Sequence, residues 1–211
     1  MRYHIAASLT LLLAAQASHA IVIDFNDAPT DLGIIETGVT ISGYTFESDH
    51  YHLFDARTGE AWNGTSYIGE EGGERGYPIR MSHAGGETFD LVGFDASELL
   101  IGFGLDSDYP NSSFIDVLGT LADTTQITQR FTLDGILDGR WGLDDFQTFI
   151  VSPQFTNLIS VEFLGFALDG RNGGIALDNI VVTPTSVPEP GTLLLLGAGL
   201  LGVCGARRRR V

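Results

Sequence analysis

Apolar and polar residues alternate along most of this chain with a period of two, the period of a strand with one buried face. In Thr125-Gln126-Ile127-Thr128-Gln129-Arg130-Phe131-Thr132-Leu133, Ile127, Phe131 and Leu133 share one face and Thr128, Arg130 and Thr132 the other. Comparable short runs occupy 21–25, 39–46, 51–54, 87–94, 99–104, 113–118, 146–151, 159–168 and 175–183. Turn dipeptides separate them, among them Ser42-Gly43, Asn63-Gly64, Gly85-Gly86, Asp134-Gly135, Asp169-Gly170 and Asn172-Gly173. About ten strands at this spacing, with no sustained helical period between them, predict an all-β fold: an antiparallel β-sandwich of jelly-roll type over residues 21–183. The stretch from Trp62 to Gly76, rich in Gly and Glu, reads as a long exposed loop.

The two ends break the period. Residues 1–20 combine Arg2, an apolar run from Ile5 to Ala17 and a closing Ser18-His19-Ala20, the three parts of a secretory signal peptide cut after Ala20. At the other end, residues 192–206 carry no charge, and Arg207, Arg208, Arg209 and Arg210 follow before the terminal Val211. As a helix the apolar segment is roughly 22 Å long, short of the hydrocarbon core of about 30 Å. The segment therefore reads as a thin transmembrane helix with residues 207–211 as a basic cytoplasmic tail and residues 21–190 outside. Before it, residues 184–191 form a proline-rich stalk containing Val187-Pro188-Glu189-Pro190, extended because proline fixes φ and removes a donor.

The order of these parts is more specific than any one of them. A Pro-Glu-Pro motif, a short apolar helix, an arginine cluster and the end of the chain together resemble the PEP-CTERM sorting signal of Gram-negative bacteria. Val187, Pro188, Glu189 and Pro190 match its VPEP motif, and residues 187–211 cover the whole signal. The resemblance implies an exosortase as partner, a transient stay in the membrane through the C-terminal helix, and removal of the tail. It further implies a destination at the cell surface or in the exopolysaccharide of a biofilm matrix. The runs Ile23-Asp24-Phe25-Asn26-Asp27 and Ile175 to Val182 are also similar to the opening and closing strands of PEP-CTERM ectodomains with lectin-like sandwiches, which supports the fold and leaves the ligand open.

Charge narrows the partners. The chain has 11 basic and 27 acidic residues, a net charge of −16, and no Lys. Such a surface excludes nucleic acid as an expected partner. The single Cys204 lies in the apolar tail and can form no internal disulfide. Dense carboxylates keep an exported domain hydrated, and they are also hard-oxygen ligands for divalent cations. Asp178 shares its predicted strand face with Ile180 and Val182, and a buried carboxylate needs donors, an arginine or a metal. First and last strands of jelly rolls lie close together, so Asp24, Asp27 and Asp178 are a candidate Ca²⁺ site, Ca²⁺ being the one cofactor considered. Asp106 and Asp108 are a weaker acidic pair, and His50 and His52, with Asp49, Asp55 and His83, a weaker transition-metal arrangement.

Catalytic motifs are lacking: the sequence has no Gly-x-Ser-x-Gly elbow, His-Glu-x-x-His or P-loop, and pairs such as Asp144-Asp145 arise readily among so many acids. The chain is therefore read as a non-enzyme. Its alternative activity is calcium-assisted, lectin-like carbohydrate binding. Trp62 and Trp141 are the candidate glycan-stacking rings, with Tyr67, Tyr77 and Tyr109 near them.

Overall fold

The protein is described from a computed structural model covering residues 19–28, 38–48, 51–54, 61–70, 77–99, 111–136 and 144–185, with 51–54 as backbone. Among these residues there is no helix; twelve strands form the structure. They are β1 (Ile21–Ile23), β2 (Val39–Ile41), β3 (Tyr44–Glu47), β4 (Tyr51–Phe54), β5 (Tyr67–Glu70), β6 (Ile79–His83), β7 (Phe89–Glu98), β8 (Phe114–Leu121), β9 (Gln126–Thr132), β10 (Gln147–Ile150), β11 (Leu158–Phe166) and β12 (Ile175–Pro184). Residues 18–185 form one compact unit.

All strand ladders are antiparallel and make two sheets. The first runs β2-β3-β6-β11-β8-β9. The second runs β10-β7-β12, and the far edge of β12 pairs with β5, then β4, along its first half and with β1 along its second. One residue pair, Leu158 with Phe89, links the two sheets into a continuous network. Aromatic rings lock the inner faces together: Phe94 of the second sheet packs edge-on to Phe131 and Phe163 of the first at 5.3 and 5.1 Å, and Tyr44 meets Phe89 at 5.3 Å. The main core joins Ile23, Leu91, Leu177 and Val182 from one sheet with Phe46, Met81, Val117 and Val161 from the other. Buried apolar area of this kind is the main favourable term in such a fold.

The structure changes the sequence reading in three places. The run 39–46 is a hairpin, turning at Ser42 and Gly43 with φ of 52° and 85°. Tyr67–Glu70, expected within a loop, is a strand buried at every position. Both its faces are covered, so it shows no alternation. Ile79–His83 is likewise a strand, between β3 and β11.

β12 is irregular where the function question lies. Its pairing with β7 shifts between Asp178 and Val181, and Asn179 has φ 46°, a bulge with one extra residue. A compensating shift follows on the β7 side, between Val181 and Val182. Because a bulge reverses the alternation, Ile175 and Leu177 point to the core before it and Ile180 and Val182 after it.

Gly93 marks the crowded point of β7, since a Cβ there would stand 2.6 Å from the Phe149 carbonyl oxygen of β10. Gly93→Ala is expected to lose about 1–3 kcal/mol of stability by forcing β10 away. Val92→Thr, at a neighbouring exposed position, should change it by less than about 0.5 kcal/mol. Urea unfolding of the two variants checks this.

Candidate functional site

The bulge decides where Asp178 points. Asp178 shares a face with Ala176 rather than with Ile180 and Val182, so it lies on the outer face of the second sheet, contrary to the sequence expectation. It is nevertheless 0% exposed, because the segment Ala61–Ser66 lies over it. Asn63 Nδ2 donates to Asp178 Oδ2 at 2.6 Å and the Thr65 hydroxyl to the same oxygen at 2.8 Å, while the Asn179 amide donates to Oδ1 at 2.7 Å. Asp95, paired with Asp178 across the ladder, accepts from Thr148 Oγ1 at 2.7 Å and from Asn179 Nδ2 at 2.9 Å. Burial pushes the Asp178 pKa up against the pull of these donors. The arrangement is a clamp that fastens the 61–66 segment to the sheet.

That segment also ties the Trp62 backbone to the strand approach at Asp145. The Trp62 carbonyl accepts from the Asp145 amide at 2.8 Å, and the Trp62 side chain is half-buried. Tyr67 is buried against Phe146, 5.5 Å between ring centres, and is no surface platform. Trp141 and Tyr109 lie outside the described residues.

Asp24 follows β1 half-buried and Asp27 is exposed in the next turn. Neither donates a carboxylate to the Asp178 network, whose oxygens are taken by Asn63, Thr65 and Asn179. No three His, Cys, Asp or Glu among the described residues are grouped to hold a metal. The predicted Asp24, Asp27 and Asp178 Ca²⁺ set is therefore not assembled: the one buried member is satisfied by protein donors and the other two face elsewhere or outward. His83 accepts from the Gly85 amide at its Nδ1, 3.2 Å, and its Nε2 is 4.0 Å from Glu87. Asp49, His50, Asp55, Asp106 and Asp108 lie outside the described residues, and of His52 only the backbone is described. Ala20 is exposed directly before β1, whereas Val187, Pro188, Glu189, Pro190 and Arg207 to Arg210 lie outside the described residues.

Two features escape the sequence. On the outer face of the first sheet, Arg130 grips Asp116 through two hydrogen bonds of 2.6 Å and lies over the rings of Phe114 and Phe166, at 5.3 and 5.5 Å. A planar cation, a forked carboxylate and two ring faces on one open sheet surface can stack and hydrogen-bond a polyhydroxylated ligand. At the end of β7, Glu98 is completely buried on the inner face. Its Oε1 accepts from the Gly135 amide at 2.6 Å. Burial first, then the charges of Asp134 and Asp145, raise its pKa to about 7.

The described domain says nothing of the chain's destination, but residues 186–210 match the PEP-CTERM protein-sorting motif. The chain carries a PEP-CTERM sorting motif. Such a motif implies export, exosortase processing and sorting to the cell surface, and it contains the Val187 to Pro190 stretch. No curated protein matches the chain by sequence. Among solved structures, the chain is similar to a DUF4465 family protein from Bacteroides caccae, with TM-score 0.53 and 14% identity over 79% of this chain and 100% of that one. At that identity the likeness is one of fold, a β-sandwich. Slighter likenesses, carrying no functional argument, are to a cyclase from Fischerella sp. TAU and to the CBM22-1 xylan-binding domain from Paenibacillus barcinonensis. The first has TM-score 0.45 and 14% identity over 80% of this chain and 100% of that one; the second has 0.42 and 12% over 83% and 100%.

Removing the clamp leaves buried donors without acceptors, at about 1–3 kcal/mol each. Asp178→Ala is thus expected to lose more than about 2 kcal/mol and to open the 61–66 segment to proteases, whereas Asp178→Asn retains part of both. Thermal unfolding and limited proteolysis read the difference. For Glu98 the folded pKa of about 7 exceeds the ordinary 4.5. The folded state therefore holds the proton more tightly, and stability falls as pH rises from 4.5 through 7. In a chelating buffer, Glu98→Gln should flatten that part of the melting temperature profile.

Proposed function

We propose that this is an exported, non-enzymatic surface protein that an exosortase releases from its membrane tail and delivers to the cell surface or the extracellular polysaccharide matrix. The match of residues 186–210 to the sorting motif carries the reading. In this scheme signal peptidase cuts after Ala20. That position fits the fold, because β1 begins at Ile21 and keeps its whole length in the mature protein. Residues 192–206 hold the chain briefly in the bilayer, Arg207 to Arg210 stay on the cytoplasmic side, and the 184–191 stalk offers the VPEP motif for cutting. The new N-terminus and the finish of β12 lie at one end of the sandwich, since Ile21 pairs with Val182. Ile175, where β12 starts, is roughly 30 Å away at the opposite pole.

A second reading concerns the sandwich itself, as a carbohydrate-binding module of the biofilm matrix. The Arg130, Asp116, Phe114 and Phe166 group favours it. Rings and forked polar groups are what a sugar's apolar face and hydroxyls require. Trp62, half-buried beside Asp145, is a further candidate ring.

In cells lacking the exosortase, the protein should keep its tail and stay with the inner membrane. Release and trimming at wild-type levels would overturn the sorting scheme. In affinity electrophoresis through the producer's own polysaccharide, wild type should be retarded. Arg130→Ala should weaken retention roughly tenfold, a loss of about 1.4 kcal/mol. Equal mobility with and without polysaccharide would remove the binding reading and leave the sorting scheme intact.

A further inference from the structure

The edges of the two sheets are unequal. β1 and β2 are three residues long and β4 and β10 four, and such short edges offer little to a passing strand. β9 closes the first sheet with seven residues, Gln126 to Thr132, and among the described residues it pairs with β8 alone. It carries none of the usual guards. It contains no Pro, Gly or Lys, its register with β8 runs without a bulge, and its single charge, Arg130, is held by Asp116.

The ladder fixes which backbone groups of β9 are free. The Leu133 amide donates to the Ser113 carbonyl at 3.0 Å, and the Leu121 amide to the Thr125 carbonyl at 2.8 Å. Bonded and non-bonded pairs alternate in an antiparallel ladder, so Thr125, Ile127, Gln129, Phe131 and Leu133 turn their amides and carbonyls toward β8. Gln126, Thr128, Arg130 and Thr132 turn theirs to the open side, where no described group bonds them. The core side of the same edge is apolar and incompletely covered. Ile127 of β9 and Phe149 of β10 pack on the core but stay half-buried, with Phe149 5.1 Å from Phe131.

An occupant of this edge must offer backbone donors and acceptors at every second residue, apolar side chains on the core face and uncharged polar ones on the outer face. β9 itself meets all three needs. Laid antiparallel about a two-fold axis at Gln129, two copies set Gln126 opposite Thr132 and Thr128 opposite Arg130, so each free amide meets a free carbonyl. On the core face the same register places Ile127 of one copy beside Phe131 of the other. Sliding two residues one way would set Arg130 against Arg130, a like-charge pair. Sliding the other way would set Thr132 against Thr124, which has φ 70° and lies in the turn between β8 and β9.

We propose that β9 is a self-association edge that joins two copies of this chain, antiparallel about Gln129, into one continuous sheet. A second copy fits better than a strand of another protein, because this register satisfies the edge with nothing from outside the sequence. The Arg130 guanidinium stays over Phe114 and Phe166, so the dimer presents two such ring platforms on one surface. The inference is independent of the sorting and glycan readings. Each copy has a net charge of −16, so screening by salt strengthens the pairing.

The test uses the full chain in mild detergent, every variant carrying the same tail. Sedimentation equilibrium should show a reversible dimer, half formed at roughly 10⁻⁵ to 10⁻⁴ M, as suits a contact near the low end of interface size, and tighter at high salt. Thr128→Pro removes an outward amide and no bond to β8, so it should stay folded and weaken the dimer roughly tenfold or more. In a Cys204→Ser chain, Gln129→Cys should form an intermolecular disulfide under mild oxidation, because each Gln129 faces its own counterpart. Gln126→Cys, roughly 20 Å from its counterpart in this register, should not. Near-ultraviolet circular dichroism checks folding, and Thr128→Pro gives an independent reading if Gln129→Cys is not folded. A wild type that stays monomeric throughout that concentration range, or grows into longer assemblies, would overturn the proposal. So would undiminished association of folded Thr128→Pro, or cross-linking of Gln126→Cys as readily as of Gln129→Cys.

Discussion

The ladder between β7 and β12 is the constraint from which the remaining features follow. Both strands are ten residues long, and their pairing runs from Glu98 opposite Ile175 to Phe89 opposite Pro184. Each also carries partners on its other edge, β10 for β7 and β5 with β1 for β12. A shift in this one ladder moves side chains in every neighbouring strand. The bulge at Asn179 does so within the native fold, keeping Ile180 and Val182 in the core while handing Asp178 to the outer face. The 61–66 segment then has an anchor, and Trp62 and Asp145 come together because of it.

The sandwich was legible wherever one face is wet. β9 alternates as its sequence says, with Phe131 buried and Thr132 exposed, because among the described residues its outer side is left open. β5 was not legible, since Ile68 faces the core while Tyr67 packs under Phe146, and a strand covered on both faces loses its period. β6 carries a readable alternation of Ile79 and Met81 against Arg80 and Ser82, obscured by its brevity between glycine-rich flanks. The adjacency of first and last strands came through as the β1 and β12 pair.

The candidate site was harder to read. A bulge depends on what the partner strand does, so no pattern within Ile175 to Val182 could reveal that Asp178 faces outward. Glu98 falls between the sequence runs 87–94 and 99–104, whereas β7 extends to it. The burial of Glu98 comes from Gly135 and Ile175, which reach it from distant parts of the chain. Arg130 and Asp116 stand opposite each other in the β8 and β9 hairpin, a pairing visible only once the register is known. The tail is the contrary case: its meaning lies in the order of short segments, which needs no tertiary contact to be read.

The joining of β1 to the last turns of β12 has a mechanical consequence. A pull entering at Thr185 passes through Pro184 and Thr183, paired with β7, and then reaches Val182 and Val181, which are paired with β7 on one edge and with β1 on the other. Such a strand cannot be peeled from one side like an edge strand; two rows of hydrogen bonds must shear together. A domain dragged by flowing liquid while its stalk is still held would meet its stiffest resistance at the point of attachment.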